Sequence, residues 1–115
     1  KIYASCDAFL MPSLFEPCGL SQMISMRYGT LPIVRETGGL RDSVTPYNEY
    51  ENTGNGFSFS NFNAHDMLNV IRYAVNVYKN NRVNWNKLVR RAMKGAFSWE
   101  TATDNYTTVY NNLLK

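Results

Sequence analysis

The feature that most constrains the fold is a strand, helix, strand pattern near the start of the chain. Ala8–Met11 is a short apolar run ended by a proline, which indicates a strand buried on both faces of a parallel sheet. Apolar residues such as Leu20 and Ile24 then recur at helical spacing until Gly29 supplies a stop. A second apolar run follows at residues 31–34. Because the connections are tight, we expect two parallel strands joined by a right-handed crossover.

The rest of the chain is predicted to add one strand and then helices. Residues 45–55 are polar and turn-rich, which is typical of an exposed loop, and residues 56–60 alternate as in a short edge strand with one solvated face. Helices are predicted from Asn63, around Leu88 and from Ser98. The apolar stripe predicted for the last helix is Trp99, Ala102, Tyr106, Val109 and Leu113.

These elements predict an α/β fold with a short parallel sheet followed by C-terminal helices. Residues 1–62 form the βαβ core with the site loops, and residues 63–115 form the helices. The length of 115 residues is that of one domain, and a charged fraction of 18% is too low for a disordered chain. The chain does not begin with methionine, and we expect it to be a piece of a longer protein.

The positive charge of the chain is concentrated in one stretch, and this distribution favours a solvated surface. The net charge of +3 arises between Met67 and Trp99, a stretch that contains lysines and arginines and no acidic residue. We interpret this stretch as a solvated helical face and predict no nucleic-acid partner. No apolar run approaches the roughly 18 residues that cross a bilayer, so we predict no membrane partner and a cytoplasmic location.

Cysteine and histidine usage argues against several kinds of chemistry. Cys6 and Cys18 are expected to be reduced thiols, because the chain has neither a leader-like start nor a high cysteine content. One histidine and two separated cysteines cannot supply a tetrahedral metal set, so no metal and no cofactor are predicted. Cys18 is also a poor candidate nucleophile, since its one candidate base, His65, lies in the polar segment before the first long helix.

The loops that follow the first two strands are the candidate binding regions, because ligands bind beyond the carboxyl ends of parallel strands. A helix that opens at Gly19, Leu20 and Ser21 offers unpaired amides and the positive end of its dipole to an anion such as a phosphate. Alternatively, Gly19 is only a turn and Ser21 only an N-cap. The second loop carries Thr37, Gly38 and Gly39, which are predicted to form a turn.

Glu16 is the acidic residue of the first loop, and it lies between Phe15 and Pro17. A carboxylate beside apolar neighbours loses hydration and becomes a directed hydrogen-bond acceptor, suited to a neutral polyol such as a sugar. The alternative interpretation is a solvated loop carboxylate without a ligand.

The stretch MPSLFEPCGLSQMISMRYGTLPIVRETGGLRDSV, with NGFSFSNFNAHDM and FSWE downstream, resembles the sugar-nucleotide-binding domain of bacterial glycogen synthases and plant starch synthases. The resemblance covers nearly the whole chain. It implies the C-terminal half of the second Rossmann-like domain of a GT-B glycosyltransferase. The family transfers glucose from ADP-glucose to the non-reducing end of an α-1,4-glucan with retention of configuration, so the implied ligands are ADP-glucose and the glucan.

The resemblance also implies roles for the first loop. Glu16 corresponds to the essential glutamate of the family, which holds the donor glucose together with the backbone of Cys18 and Gly19. Gly19, Leu20 and Ser21 correspond to the diphosphate contacts.

Other parts of the family's site are implied to lie upstream of Lys1: a basic pair, an adenine-stacking tyrosine and the acceptor domain. The 115 residues alone are therefore expected to be inactive. Two alternatives remain: a non-catalytic nucleotide- or glucan-binding module, and a related transferase that uses UDP-glucose. An open strand edge and the last helix lead us to expect self-association of the piece.

Overall fold

The computed structural model describes all residues from Lys1 to Lys115. Its elements, in chain order, are α1 (Ile2–Ser5), β1 (Ala8–Met11), α2 (Ser21–Arg27), β2 (Leu31–Arg35), α3 (Gly38–Ser43), β3 (Phe57–Phe59), α4 (Ala64–Asn80), α5 (Arg82–Met93) and α6 (Trp99–Leu113). The strands form one parallel sheet in the order β1-β2-β3. The predicted α/β fold, with a parallel sheet followed by helices, is confirmed.

The central strand β2 carries the core of the sheet. Residues 31–34 are buried, and Leu10 and Ile33 are partners across β1 and β2. The preceding helix ends as predicted, because Gly29 has a φ of +82°, a conformation that glycine adopts without a steric cost. The buried side chain of Thr30 then donates to the carbonyl oxygen of Cys6 at 2.8 Å, which joins the start of β2 to the segment before β1.

The prediction that β1 is buried on both faces is wrong. β1 is an edge strand that pairs with β2 alone, and its side chains alternate between exposed and half-buried. Leu10 is 42% exposed, whereas Met11 packs against the core. The apolar run predicts the strand correctly, but it does not show whether both faces of the strand are covered within these residues.

The buried face of α2 includes polar residues that the sequence pattern did not indicate. Gln22, Ser25 and Met26 are fully buried, whereas Leu20 is 65% exposed and Ile24 is 41% exposed. The buried residues follow the spacing of one helical face, but two of them are polar. Gln22 finds its hydrogen-bond partners in the candidate site, whereas the Ser25 hydroxyl donates to the carbonyl oxygen of Gln22 within the helix.

An aromatic cluster joins β3 to the long helices. Phe57 stacks on Trp85 with ring centroids 5.9 Å apart, and Tyr47 stacks on Tyr73 at 6.1 Å. Tyr47 is buried, so the prediction that residues 45–55 are an exposed loop fails at this residue. Burial raises the pKa of Tyr73 above its ordinary value, and the nearby charge of Glu49 raises it further.

The C-terminal helices begin close to the predicted positions. The side chain of Asn63 accepts a hydrogen bond from the amide of Asp66 at 2.8 Å and caps α4, and Ser98 caps α6. α4 turns Ala74 and Val77 into the core, whereas α6 contains no buried residue. The predicted stripe of α6 is therefore uncovered in the structure. None of the helices is both long enough and apolar enough to span a bilayer.

Candidate functional site

The candidate site is the loop of residues 12–20, here called the β1–α2 loop, at the carboxyl end of β1. Gly19 has a φ of +73°, which makes the turn that leads into α2. The side chain of Glu16 lies against this turn, because a Cβ placed on Gly19 would meet Cγ of Glu16 at 3.1 Å. Glu16 as a whole residue is half-buried beside the helix start.

The start of α2 leaves hydrogen-bond donors free. The first four amides of a helix have no acceptor within the helix, and the N-cap of α2 is Leu20, which has no side-chain cap. The alternative in which Ser21 is the N-cap is therefore wrong. Ser21 is the first helical residue, and its hydroxyl oxygen accepts a hydrogen bond from Tyr3 Oη at 3.1 Å. The hydroxyl proton of Ser21 thus remains available to a ligand.

The second predicted loop supports the first one through its backbone. Gly38 and Gly39 begin α3, a short helix that the sequence did not predict, and Thr37 is its N-cap. The amide of Gly39 donates to the carbonyl oxygens of Glu16 and Pro17 at 3.1 and 3.2 Å. A Cβ on Gly38 would overlap the carbonyl oxygen of Glu16, and a Cβ on Gly39 would overlap that of Cys18. The two glycines allow this close approach of backbones.

Two side chains that the sequence analysis did not select also hold the β1–α2 loop. Arg35, at the end of β2, donates from Nη1 to the carbonyl oxygen of Leu14 at 2.6 Å. Gln22, in α2, donates from Nε2 to the carbonyl oxygens of Cys18 and Gly19 at 3.1 and 2.9 Å. The loop is therefore fastened near its beginning by a strand end and near its end by a helix.

The other reactive side chains do not form a catalytic or metal-binding group. Cys6 and Cys18 are exposed and free, and His65 is exposed in the first turn of α4. Glu36 accepts hydrogen bonds from Ser58 and Ser60 at 2.7 and 3.0 Å, which occupies its two carboxylate oxygens. No group of three or more histidine, cysteine or acidic side chains could hold a metal ion.

An open groove of about 610 Å³ lies beside the helix start. The apolar residues Leu20, Met23 and Ile24 line one side of it. The end of α5 and the start of α6 line the other. The groove explains why Leu20 and Ile24 are exposed, since the facing elements do not close over them.

Comparison with known proteins places the chain among glycosyltransferases. Residues 1–91 match the family described as glycosyl transferases group 1. The chain is 65% identical over 113 residues to a glycogen synthase of Lachnospira eligens, a match that covers 98% of this chain and 24% of the relative. It is 59% identical over 115 residues to a glycogen synthase of Geobacillus stearothermophilus, with 100% and 24% covered. The chain thus spans about a quarter of the length of these curated relatives.

Solved structures agree with this placement. The catalytic domain of starch synthase IV from Arabidopsis thaliana, bound to ADP and acarbose, superposes with a TM-score of 0.85 at 41% identity and covers 96% of this chain and 23% of that one. Sucrose-phosphate synthase from Thermosynechococcus elongatus superposes at 0.70 with 23% identity, covering 98% of this chain and 27% of the other. At this low identity, the second match shows a similar fold and nothing more.

Proposed function

This chain belongs to the glycosyl transferases group 1 family, and from that premise we propose that it is the donor-binding part of a glycogen synthase. The proposed whole enzyme is a retaining glucosyltransferase that moves glucose from ADP-glucose to the non-reducing end of an α-1,4-glucan. This chain is 54–65% identical to curated glycogen synthases, which supports this choice within the family. The starch synthase structure, which holds ADP and acarbose, supports a nucleotide and a glucan as the ligands.

The observation that carries the proposal is the geometry of the β1–α2 loop. The side chain of Glu16 and the free amides of the helix start lie on either side of Gly19, at the carboxyl end of a parallel strand. This is where ligands bind in open α/β sheets. A donor such as ADP-glucose presents a neutral sugar beside a charged diphosphate. In the proposed arrangement, Glu16 accepts from the glucose hydroxyls, and Gly19, Leu20 and Ser21 donate to the diphosphate.

Such an arrangement favours the transition state over the bound donor. As the glycosidic bond to the diphosphate breaks, the sugar gains oxocarbenium character and the leaving diphosphate gains negative charge. Fixed amides and the Ser21 hydroxyl interact more strongly with the diphosphate as its charge grows, which lowers the barrier to transfer. Glu16, aided by the backbone of Cys18 and Gly19, holds the sugar in the orientation that allows the acceptor hydroxyl to reach it.

The proposal assigns only part of the enzyme to this chain. Residues 1–62 carry the site loops, and the helices of residues 63–115 support them. Because the chain spans 24% of the relatives that it matches, we propose that the 115 residues alone do not transfer glucose. We propose that the whole enzyme is cytoplasmic, as expected from the sequence.

Two uncovered surfaces lead us to propose that the isolated chain self-associates. The outer edge of β1 has no strand beside it, and the stripe of α6 is exposed, with Trp99 87% and Leu113 77% accessible. Unpaired strand edges and exposed apolar faces both favour association with another copy.

The experiment that tests the proposed function uses a chimera. This chain replaces the matching quarter of the Lachnospira eligens glycogen synthase, to which it is 65% identical, and the product is here called the chimera. Transfer of radiolabelled glucose from ADP-glucose to glycogen is then measured, with the isolated 115 residues assayed beside it. We expect transfer by the chimera and none by the isolated chain. A folded chimera that transfers no glucose would contradict the proposed function, and turnover by the isolated chain would contradict its dependence on the rest of the enzyme.

A further inference from the structure

Gln22 is an unusual residue to find inside this fold. It is fully buried in α2, although glutamine is mostly exposed in folded proteins. Its Nε2 lies within hydrogen-bond distance of the carbonyl oxygens of Cys18 and Gly19 and of the Ser43 hydroxyl. Its Oε1 is buried and has no hydrogen-bond partner. The side chain is therefore placed to donate, and one end of it remains unsatisfied.

An unpaired buried oxygen costs free energy, so the contacts of Nε2 are the reason to look for a role of this side chain beyond filling space. Met26, on the same buried face, shows that an apolar side chain of similar size fits inside this part of the fold. What an apolar side chain cannot supply is a donor to two successive carbonyl oxygens of the β1–α2 loop. Those carbonyls belong to Cys18 and Gly19, the residues between Glu16 and the free amides of the helix start.

Ser43 extends the contact to the second loop. Its hydroxyl accepts from Gln22 at 3.1 Å and donates to the carbonyl oxygen of Gly39 at 2.6 Å. Gly39 in turn donates its amide to Glu16 and Pro17. A closed path of hydrogen bonds thus runs from the end of the β1–α2 loop, through two buried side chains, to α3 and back to Glu16. The loop is held between α2 and α3.

We propose that Gln22 and Ser43 form a buried clamp that sets the position of Glu16 relative to the amides of the helix start. The inference rests on the proposed function, and it assigns Gln22 and Ser43 as positioning residues that do not touch the donor. Without the clamp, the loop still has its backbone contacts with Gly39, but the turn at Gly19 is no longer held. The carboxylate and the amides then lose the fixed separation that a sugar joined to a diphosphate requires.

The test uses the chimera with two substitutions at Gln22. Gln22→Met fills the same space without donors, and Gln22→Glu keeps the shape but removes both donors. A misplacement of about 1 Å costs up to roughly a hundredfold in rate, so we expect kcat to fall by about tenfold to a hundredfold in each variant. The KM for ADP-glucose changes less, because the lost alignment matters most in the transition state. The matched control is Ser25→Ala, which is equally buried in α2 and whose hydroxyl bonds only to the carbonyl oxygen of Gln22 within the helix.

A double-mutant cycle separates a clamp from two independent contacts. If Gln22 and Ser43 act together, Gln22→Met combined with Ser43→Ala loses little more kcat than Gln22→Met alone. The proposal would be overturned if both Gln22 variants kept the kcat and the melting temperature of the parent chimera. A loss of the same size in Ser25→Ala would overturn it too, because the effect would then belong to the helix in general.

Hydrogen exchange tests the clamp without a measurement of activity. Peptides that cover residues 12–20 and 36–43 are followed in the parent chimera, in Gln22→Met and in Ser25→Ala. We expect faster exchange in Gln22→Met than in the parent, including at the Gly39 amide that donates to the loop. Exchange in Ser25→Ala should match that of the parent. Unchanged exchange in Gln22→Met would refute the clamp whether or not the chimera transfers glucose. A chimera that shows this exchange pattern but no transfer would contradict only the proposed function.

Discussion

At the scale of single residues, the proposed binding of a sugar nucleotide depends on Glu16 and Gly19. The glycine makes the left-handed turn, and the acid lies against it. The carboxylate can accept hydrogen bonds from neutral hydroxyls and the free amides can donate to an anion, which matches a sugar next to a diphosphate. The chemistry of the proposed donor therefore corresponds to two adjacent groups in the loop.

Glu16→Gln in the chimera is expected to lower kcat/KM for ADP-glucose by at least about tenfold, because hydrogen bonds to a charged group contribute about 1.5–3 kcal/mol. The matched control is Glu36→Gln at the end of the neighbouring strand, where the carboxylate already accepts from two serines. Steady-state kinetics of both variants check the prediction. Equal losses at the two positions would contradict a specific role for Glu16.

Gly39→Ala is expected to force the two loops apart. The new Cβ would overlap the carbonyl oxygen of Cys18, which is backbone and cannot turn away. Since a shift of about 1 Å at a catalytic group costs up to about a hundredfold, kcat of the chimera should fall by roughly that factor. Asp42→Ala, exposed on the same helix, should retain the parent rate. A Gly39→Ala variant with the kcat of the parent would show that the close approach is not required.

The sequence selected candidate residues whose signal is local. Glu16, Gly19, Leu20 and Ser21 lie close together in the sequence, and the motif selects them without any knowledge of packing. Gln22, Arg35 and Ser43 were missed because their importance arises from contacts with carbonyl oxygens, which every residue carries and no sequence pattern marks. A buried glutamine is visible only once the face of α2 is known.

At the scale of elements, the strand, helix, strand pattern was predictable because short connections leave few arrangements open. The helix α3 was not predicted, since it has six residues and begins with two glycines, which favour turns over helices. Apolar spacing did not reveal the buried face of α2, which includes Gln22 and Ser25. Gln22 donates to the loop, whereas the Ser25 hydroxyl donates to the carbonyl oxygen of Gln22 within the helix.

The cap of α4 gives a prediction at this scale. Asn63→Ala removes the acceptor for the amide of Asp66, and its expected cost is about 1 kcal/mol in the free energy of unfolding. Asn69→Ala, exposed within the same helix, is the control and should change stability much less. Urea denaturation followed by circular dichroism measures both. If the two variants unfold at the same urea concentration, the side-chain cap contributes nothing measurable.

At the scale of the whole molecule, the fold is well packed on one side and open on another. The core cluster joins the sheet to α4 and α5, whereas α6 projects from it with its apolar stripe exposed. The sequence predicted the stripe from its spacing, but spacing does not tell whether a partner is present. An open strand edge and an uncovered last helix were expected from the resemblance, and the structure identifies the edge as that of β1 and shows α6 without a buried residue.

Self-association of the isolated chain gives a prediction at this scale. Val109→Glu places a charge in the exposed stripe, and burying it between two copies would be unfavourable, so the dissociation constant should rise by about tenfold or more. Asn111→Glu adds the same charge on the opposite face of α6 and should leave association unchanged. Sedimentation equilibrium measures both variants. A parent chain that stays monomeric at high concentration would contradict the proposed association.

In the proposed function, the β1–α2 loop and the start of α2 hold the sugar and the diphosphate of a sugar nucleotide. A crystal structure of the chimera with ADP-glucose or a non-hydrolysable analogue tests this claim most directly. We predict that the Glu16 carboxylate lies within hydrogen-bond distance of glucose hydroxyls and that the amides of Leu20 and Ser21 point at the diphosphate. A donor bound elsewhere, with Glu16 turned away from the sugar, would contradict the claim.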